Sequence, residues 1–186
     1  MKKILILNGH PDPGASTAGK AVLEAFVKLR PDAQVRMLSA LCGKEGYDVA
    51  GEQAALVGAD VVVWHFPFYW YSVPALMKKW IDDVLTRGFA YGSGGTALCG
   101  KHLLMSFTTG APEEAYAAGK PMNWPVEAFL PPLLQTANLC GFKILAPRVV
   151  DGNVVSPGSS GTRRSRRGAR TRPGARRKDG RRNLGA

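Results

Sequence analysis

Val61-Val62-Val63-Trp64-His65-Phe66-Pro67-Phe68-Tyr69-Trp70-Tyr71-Ser72-Val73-Pro74-Ala75-Leu76-Met77-Lys78-Lys79-Trp80 is the stretch whose reading decides the fold. It opens with a β-branched apolar run, the pattern of a strand buried on both faces, and restarts after Pro74 with apolar residues at helical spacing. A buried strand therefore feeds a helix. Pro74 suits the first turn of that helix, where its missing N–H costs nothing, and Pro67 disfavours helix at Phe66. Between the prolines, Phe68, Tyr69, Trp70 and Tyr71 precede Ser72. Ligands of open parallel sheets bind at the carboxyl ends of strands. An aromatic loop there reads either as a seat for a flat ring, with backbone N–H groups free for its heteroatoms, or as a hydrophobic connection buried in a core or an interface.

Outward from that stretch the chain alternates. Residues 3–8 form a short apolar run read as the first strand, and 9–15 a polar loop. Ser16 or Thr17 is placed to cap a helix whose Val22, Leu23, Phe26 and Val27 repeat at helical spacing until Arg30-Pro31. Asn8, His10, Ser16 and Thr17 thus gather where a helix start meets a strand end, ready for a phosphate or pyrophosphate or serving simple helix capping. Neither GxGxxG nor GxxxxGK[ST] is present, which excludes a Rossmann dinucleotide fingerprint and a P-loop. Residues 34–38 read as the second strand, 42–48 as a polar loop and 49–57 as a helix carrying Glu52 and Gln53. In the helix after Pro74, Asp82 and Asp83 point about a hundred degrees apart and read as surface charge.

Residues 89–95 form a glycine-rich loop expected to expose Tyr91, and 102–108 the fourth strand, running into Thr108-Thr109-Gly110-Ala111. Those hydroxyls serve a ring edge or merely end a strand. A loop with Tyr116 follows, then a helix over 126–140 broken early by Pro131-Pro132 and ended by Gly141. The last strand is expected over 143–150. Cys42, Cys99 and Cys140 are odd in number, widely spaced and without CxxC, so neither a disulfide framework nor a zinc site is supported and a reducing cytoplasm is the expected home. No stretch is long and apolar enough to span a membrane.

The net charge of +11 resembles a nucleic-acid signal until it is located. Fourteen basic residues stand against 13 acidic ones up to Gly158, whereas beyond it 11 basic residues face Asp179 alone. Residues 1–158 read as the folded domain. Residues 159–186 are an Arg, Gly, Ala, Ser and Pro mixture, expected to be disordered and unable to form the helix that normally closes such a sheet. The tail reads as a basic arm for non-specific nucleic-acid contact or as the product of a reading-frame slip.

Five strands alternating with helices imply an open parallel sheet with right-handed crossovers. Loops after the first, third and fourth strands then share one edge, and an aromatic seat beside a phosphate cradle is what a flavin needs. The series Asn8-Gly9-His10-Pro11 with Ser16-Thr17-Ala18, Asp48-Val49 with Glu52-Gln53, the 66–78 stretch, Gly88-Phe89-Ala90-Tyr91-Gly92, Thr108-Thr109-Gly110-Ala111 with Tyr116, and Leu139-Cys140-Gly141-Phe142 resembles the flavodoxin-like NAD(P)H:quinone oxidoreductases over residues 3–158.

That resemblance implies a doubly wound five-stranded sheet of order 2-1-3-4-5, a homodimer, FAD with FMN as the alternative, and ping-pong hydride transfer from NAD(P)H to a quinone. It implies that His10, Ser16, Thr17 and Ala18 bind the flavin pyrophosphate and that Gln53 lies toward the adenosine end. Pro67, Phe68, Tyr69, Trp70 and Tyr71 would line the isoalloxazine; Thr108, Thr109, Gly110, Ala111 and Tyr116 its pyrimidine edge; and Tyr91 the substrate. Residues 117–124 lack the histidine that relays charge in the animal enzymes, which leaves Tyr116, Thr109 and backbone N–H groups as the catalytic donors. A flavoprotein subunit regulating a potassium-efflux system is the alternative from a different class, and a nucleic-acid-binding protein driven by the tail is a third.

Overall fold

The computed structural model describes residues 1–150. The tail 159–186 and the helix expected to close the sheet lie outside them. β1 (Ile4–Asn8), β2 (Gln34–Met37), β3 (Val61–Pro67), β4 (His102–Thr108) and β5 (Lys143–Ile144) form a parallel sheet in the order β2-β1-β3-β4-β5, and β6 (Arg148–Val150) also pairs with β4. This is the expected strand order. Between the strands run α1 (Ala18–Leu29), α2 (Leu38–Leu41), α3 (Val49–Gly58), α4 (Ala75–Val84) and α5 (Pro131–Leu139).

Burial on both faces explains why β1 and β3 are apolar apart from Asn8 and His65. Leu5, Leu7, Val62, Trp64 and Phe66 enter the larger core with Leu56 of α3 and Met77, Trp80 and Ile81 of α4. Ile4, Ile6 and Val63 face the other way, under Leu23 and Phe26 of α1. Successive side chains leave opposite faces of a strand, so one covered on both sides has no polar side to show. Outward on α4, Lys78 and Lys79 pair with Asp82 and Asp83 four residues on, the latter at 2.7 Å, in keeping with surface charge.

Glu52 places a carboxylate in this core. Only 1% exposed, it accepts a bond from the Trp80 indole N–H at 2.9 Å and pairs with the Arg36 guanidinium, linking α3 to α4 and β2.

Three expectations are corrected. Neither Ser16 nor Thr17 caps α1 with its side chain: Thr17 holds the cap position in helical conformation with no side-chain bond. A 3-10 turn over Pro13–Ala15 comes first, and Asp12 caps that turn, accepting from the N–H groups of Gly14 and Ala15 at 3.1 and 3.3 Å. The last strand is two strands. His102 pairs with Lys143 and Ser106 with Arg148, so between the paired ends Leu145, Ala146 and Pro147 oppose only Leu104 and Met105. Proline has no N–H for the ladder, and the extra residue is accommodated as a bulge. Finally, the helix expected over 126–140 is a 3-10 turn over Val126–Phe129 followed by α5, with Gly141 at φ 74° ending it.

Candidate functional site

The loop after β1 leaves the sheet through Asn8, which is buried and whose Oδ1 accepts the His10 N–H at 3.1 Å. His10 Nδ1 in turn accepts the Asp12 N–H at 3.1 Å, and burial pushes the His10 pKa below its ordinary value against the opposing pull of Asp12. The chain then enters α1. Because no side chain among the described residues caps that helix, the N–H groups of its first turn remain open beside His10, Ser16, Thr17 and Ala18. A cavity of about 330 Å³ lined by Asn8, Ser16, Lys20 and Met37 lies alongside.

The loop after β3 is strained. Trp70 and Tyr71 hold φ angles of 48° and 64°, left-handed values that bulky side chains rarely adopt and that cost on the order of 1–3 kcal/mol each. Little burial among the described residues offsets this at Trp70, which is 92% exposed. Neither residue's N–H has an acceptor among the described residues. Pro67 and Phe68 are buried, so the loop is anchored at one end and free at its tip.

Tyr116 is 9% exposed, packed near Phe68 and Phe129, and lines a cavity of about 570 Å³ with Thr109, Glu113, Glu127, Val149 and Val150. Its hydroxyl has no partner among the described residues, and burial, then the nearby Tyr71, raises its pKa. Thr109 differs. Its hydroxyl donates to Ala111 O at 2.9 Å and its N–H to Val150 O at 3.1 Å, so both its donors are engaged.

The topology brings these loops together. The rings of His10 and Tyr69 meet edge to face with centroids 6.0 Å apart, joining the first loop to the second. Phe68 N–H donates to Thr108 O at 2.8 Å, joining the second to the third, where Gly110 and Ala111 follow. Two residues stand apart. Gln53 Nε2 donates to Val84 O at 2.9 Å and Thr86 Oγ1 at 3.1 Å, a seam between α3 and the end of α4. Tyr91, expected to be exposed, is half-buried against the core, because Gly95 lets the chain fold back so tightly that a Cβ there would lie 2.1 Å from Tyr91 O.

Sequence reasoning passed over His65 and Ser106. His65 Nε2 lies 2.9 Å from Gly19 O in the first turn of α1, and its Nδ1 lies 3.3 Å from Ser106 Oγ on β4. A polar residue in an apolar strand was the only available signal.

A family model described as a flavodoxin-like fold matches residues 2–171. The chain belongs to that family. Within it, this member is 47% identical over 144 residues to the glutathione-regulated potassium-efflux system ancillary protein KefF of Salmonella typhimurium, an alignment covering 77% of this chain and 80% of the relative. Among solved structures of the fold, the general stress protein 14 of Treponema denticola, in complex with FMN, superposes with a TM-score of 0.76 at 36% identity, covering 80% of this chain and 86% of that one. An NADPH-quinone reductase from P. pentosaceus gives a TM-score of 0.69 at 28% identity over 82% of this chain and 86% of that one. The motifs that resemble the flavodoxin-like quinone oxidoreductases thus sit on that family's fold. No helix among the described residues is long and apolar enough to cross a membrane.

Proposed function

We propose that this chain is a flavin-dependent NAD(P)H:quinone oxidoreductase. The observation that carries the reading is the convergence at one sheet edge of a helix turn without a side-chain cap, a strained and exposed aromatic loop, and a buried tyrosine whose hydroxyl has no partner, all among the described residues. These residues fit the parts of a flavin. Open N–H groups at the start of α1, with His10, Ser16, Thr17 and Ala18, suit its phosphate. Pro67, Phe68, Tyr69, Trp70 and Tyr71 would line its ring, and Thr108, Thr109, Gly110, Ala111 and Tyr116 its polar edge.

A bound flavin supplies two-electron hydride chemistry between a nicotinamide and a quinone. The chain supplies orientation and a proton donor. Trp70 would cover the ring and exclude water from one face. The Tyr116 phenol, kept protonated by its raised pKa, would donate to negative charge developing at the ring edge. With both donors of Thr109 engaged, the phenol shares that task only with the N–H groups of Gly110 and Ala111, which have no backbone acceptor among the described residues. Tyr91 would form part of the substrate wall. FAD is what the motifs imply, with Gln53 toward its adenosine end. The Treponema relative holds FMN, which supports the mononucleotide, and acid release followed by chromatography separates the two. A cytoplasmic homodimer completes the reading.

The test is direct. Flavin-loaded protein should be yellow, be bleached by NADPH or NADH, and regain its spectrum on addition of a quinone; a spectrum that does not bleach rejects the proposal. Tyr116→Phe should slow stopped-flow bleaching by roughly tenfold, less than the hundredfold or more typical of a drier site, with flavin affinity nearly intact. An unchanged rate would leave the backbone groups sufficient. The identity to KefF supports a second reading, an ancillary subunit of a potassium-efflux system. Co-purification of such a channel with the tagged chain would favour it.

A further inference from the structure

We propose that His65 is a positioning residue for the phosphate-binding turn, fixing the first turn of α1 against β3 and β4 and thereby aiming the open N–H groups of Thr17, Ala18 and Gly19. The inference rests on the flavin reading of that turn.

The hydrogen bonds determine the imidazole's tautomer. A carbonyl can only accept, so the contact from His65 Nε2 to Gly19 O at 2.9 Å requires the proton on Nε2. Nδ1 is then the acceptor, and the Ser106 hydroxyl donates to it at 3.3 Å. The ring is 4% exposed, and its burial favours this neutral form. The main chain acts in the same sense, since Gly9 N–H donates to His65 O at 2.8 Å. His65 thus holds both ends of the loop, Gly9 through its backbone and Gly19 through its side chain.

The packing leaves the turn little room to shift. A Cβ at Gly19 would fall 2.6 Å from Ser16 Oγ and 3.4 Å from His65 Nε2, so the Ser16 hydroxyl and the imidazole both close on the helix turn at Gly19. A helix start is ordinarily steadied by a side chain bonded to its N–H groups, which would occupy the positions an anion needs. Here no such cap exists among the described residues, and the turn is tied from behind through a carbonyl, leaving its donors open in front. A histidine serving only core packing would have no preference between ligands with and without a phosphate, and that distinction provides the test.

FMN and riboflavin differ by the phosphate alone, and the affinity of each for the full-length chain can be measured by titration calorimetry. His65→Leu should weaken FMN roughly tenfold, the equivalent of one hydrogen bond's worth of positioning, and riboflavin less than about twofold. His65→Gln, which retains an N–H for Gly19 O, should recover most of the loss. Ser106→Ala, a small change that keeps the fold measurable if the leucine variant does not fold, should lower the FMN-to-riboflavin preference by about two- to threefold. Variants that weaken both ligands equally, or neither, would overturn the role of His65 while leaving the flavin reading intact. Wild-type protein that binds both ligands alike would overturn the phosphate assignment and this inference with it.

Discussion

Glu52→Ala is expected to cost about 3–5 kcal/mol of stability, the range found when one partner of a buried ion pair is removed. The carboxylate is 1% exposed and both its oxygens are used, one by the Arg36 guanidinium and one by the Trp80 indole N–H. Without it, a cation whose side chain is only 20% exposed and a fully buried donor both lose their partner. Set against a typical total of about 5–15 kcal/mol, the loss is a large fraction. It should lower the midpoint of thermal unfolding by on the order of ten degrees, at about 2–4 degrees per kcal/mol for a chain of this size. Glu52→Gln keeps an acceptor for the indole and should fall between. A midpoint for Glu52→Ala within about two degrees of wild type would show that water reaches the pair.

Trp70→Ala is expected to produce the largest loss of flavin binding. The side chain is 92% exposed on a backbone held at φ 48°, so the free protein loses almost no packing when it is truncated. Stacking of a base on an aromatic side chain contributes about 1–3 kcal/mol, which corresponds to roughly 5- to 150-fold in dissociation constant. The melting temperature of the unliganded protein should hardly change. Trp80→Ala should behave in the opposite way. That residue is fully buried, its loss should cost about 3–5 kcal/mol of stability as a core truncation, and its distance from the loops predicts little direct effect on the ligand. A flavin dissociation constant unaffected by Trp70→Ala would remove the aromatic loop from the site.

Local pattern fixed the parts of the fold that it could encode. The run from Val61 and the restart after Pro74 placed the starts of β3 and α4, because burial on both faces and helical spacing are properties of neighbouring positions. The meeting of three loops was equally legible, since it follows from strand order. What escaped depends on contacts between distant residues. The ion pair of Glu52 was not legible because Arg36 and Trp80 lie far from it in sequence. His65 looked like an irregularity in a strand until Gly19 and Ser106 were seen around it. Ser16 and Thr17 do not take the capping role expected of them because a 3-10 turn, itself capped by Asp12, stands between β1 and α1. The bulge at Pro147 needed its partner strand to become visible.

The placement of the four tryptophans also gives the protein a built-in optical reporter. Trp64 and Trp80 are sealed in the core, at 1% and 0% exposure, and should emit at short wavelength beyond the reach of a dissolved quencher. Trp70 and Trp124, 92% and 58% exposed, should emit at longer wavelength and be quenched freely. The red side of the emission therefore belongs to two residues, one of them at the tip of the aromatic loop. A ring settling on that loop would shield Trp70 from a dissolved quencher, while unfolding would shift the blue component to the red. Occupancy and folding can thus be followed separately in one sample without a label.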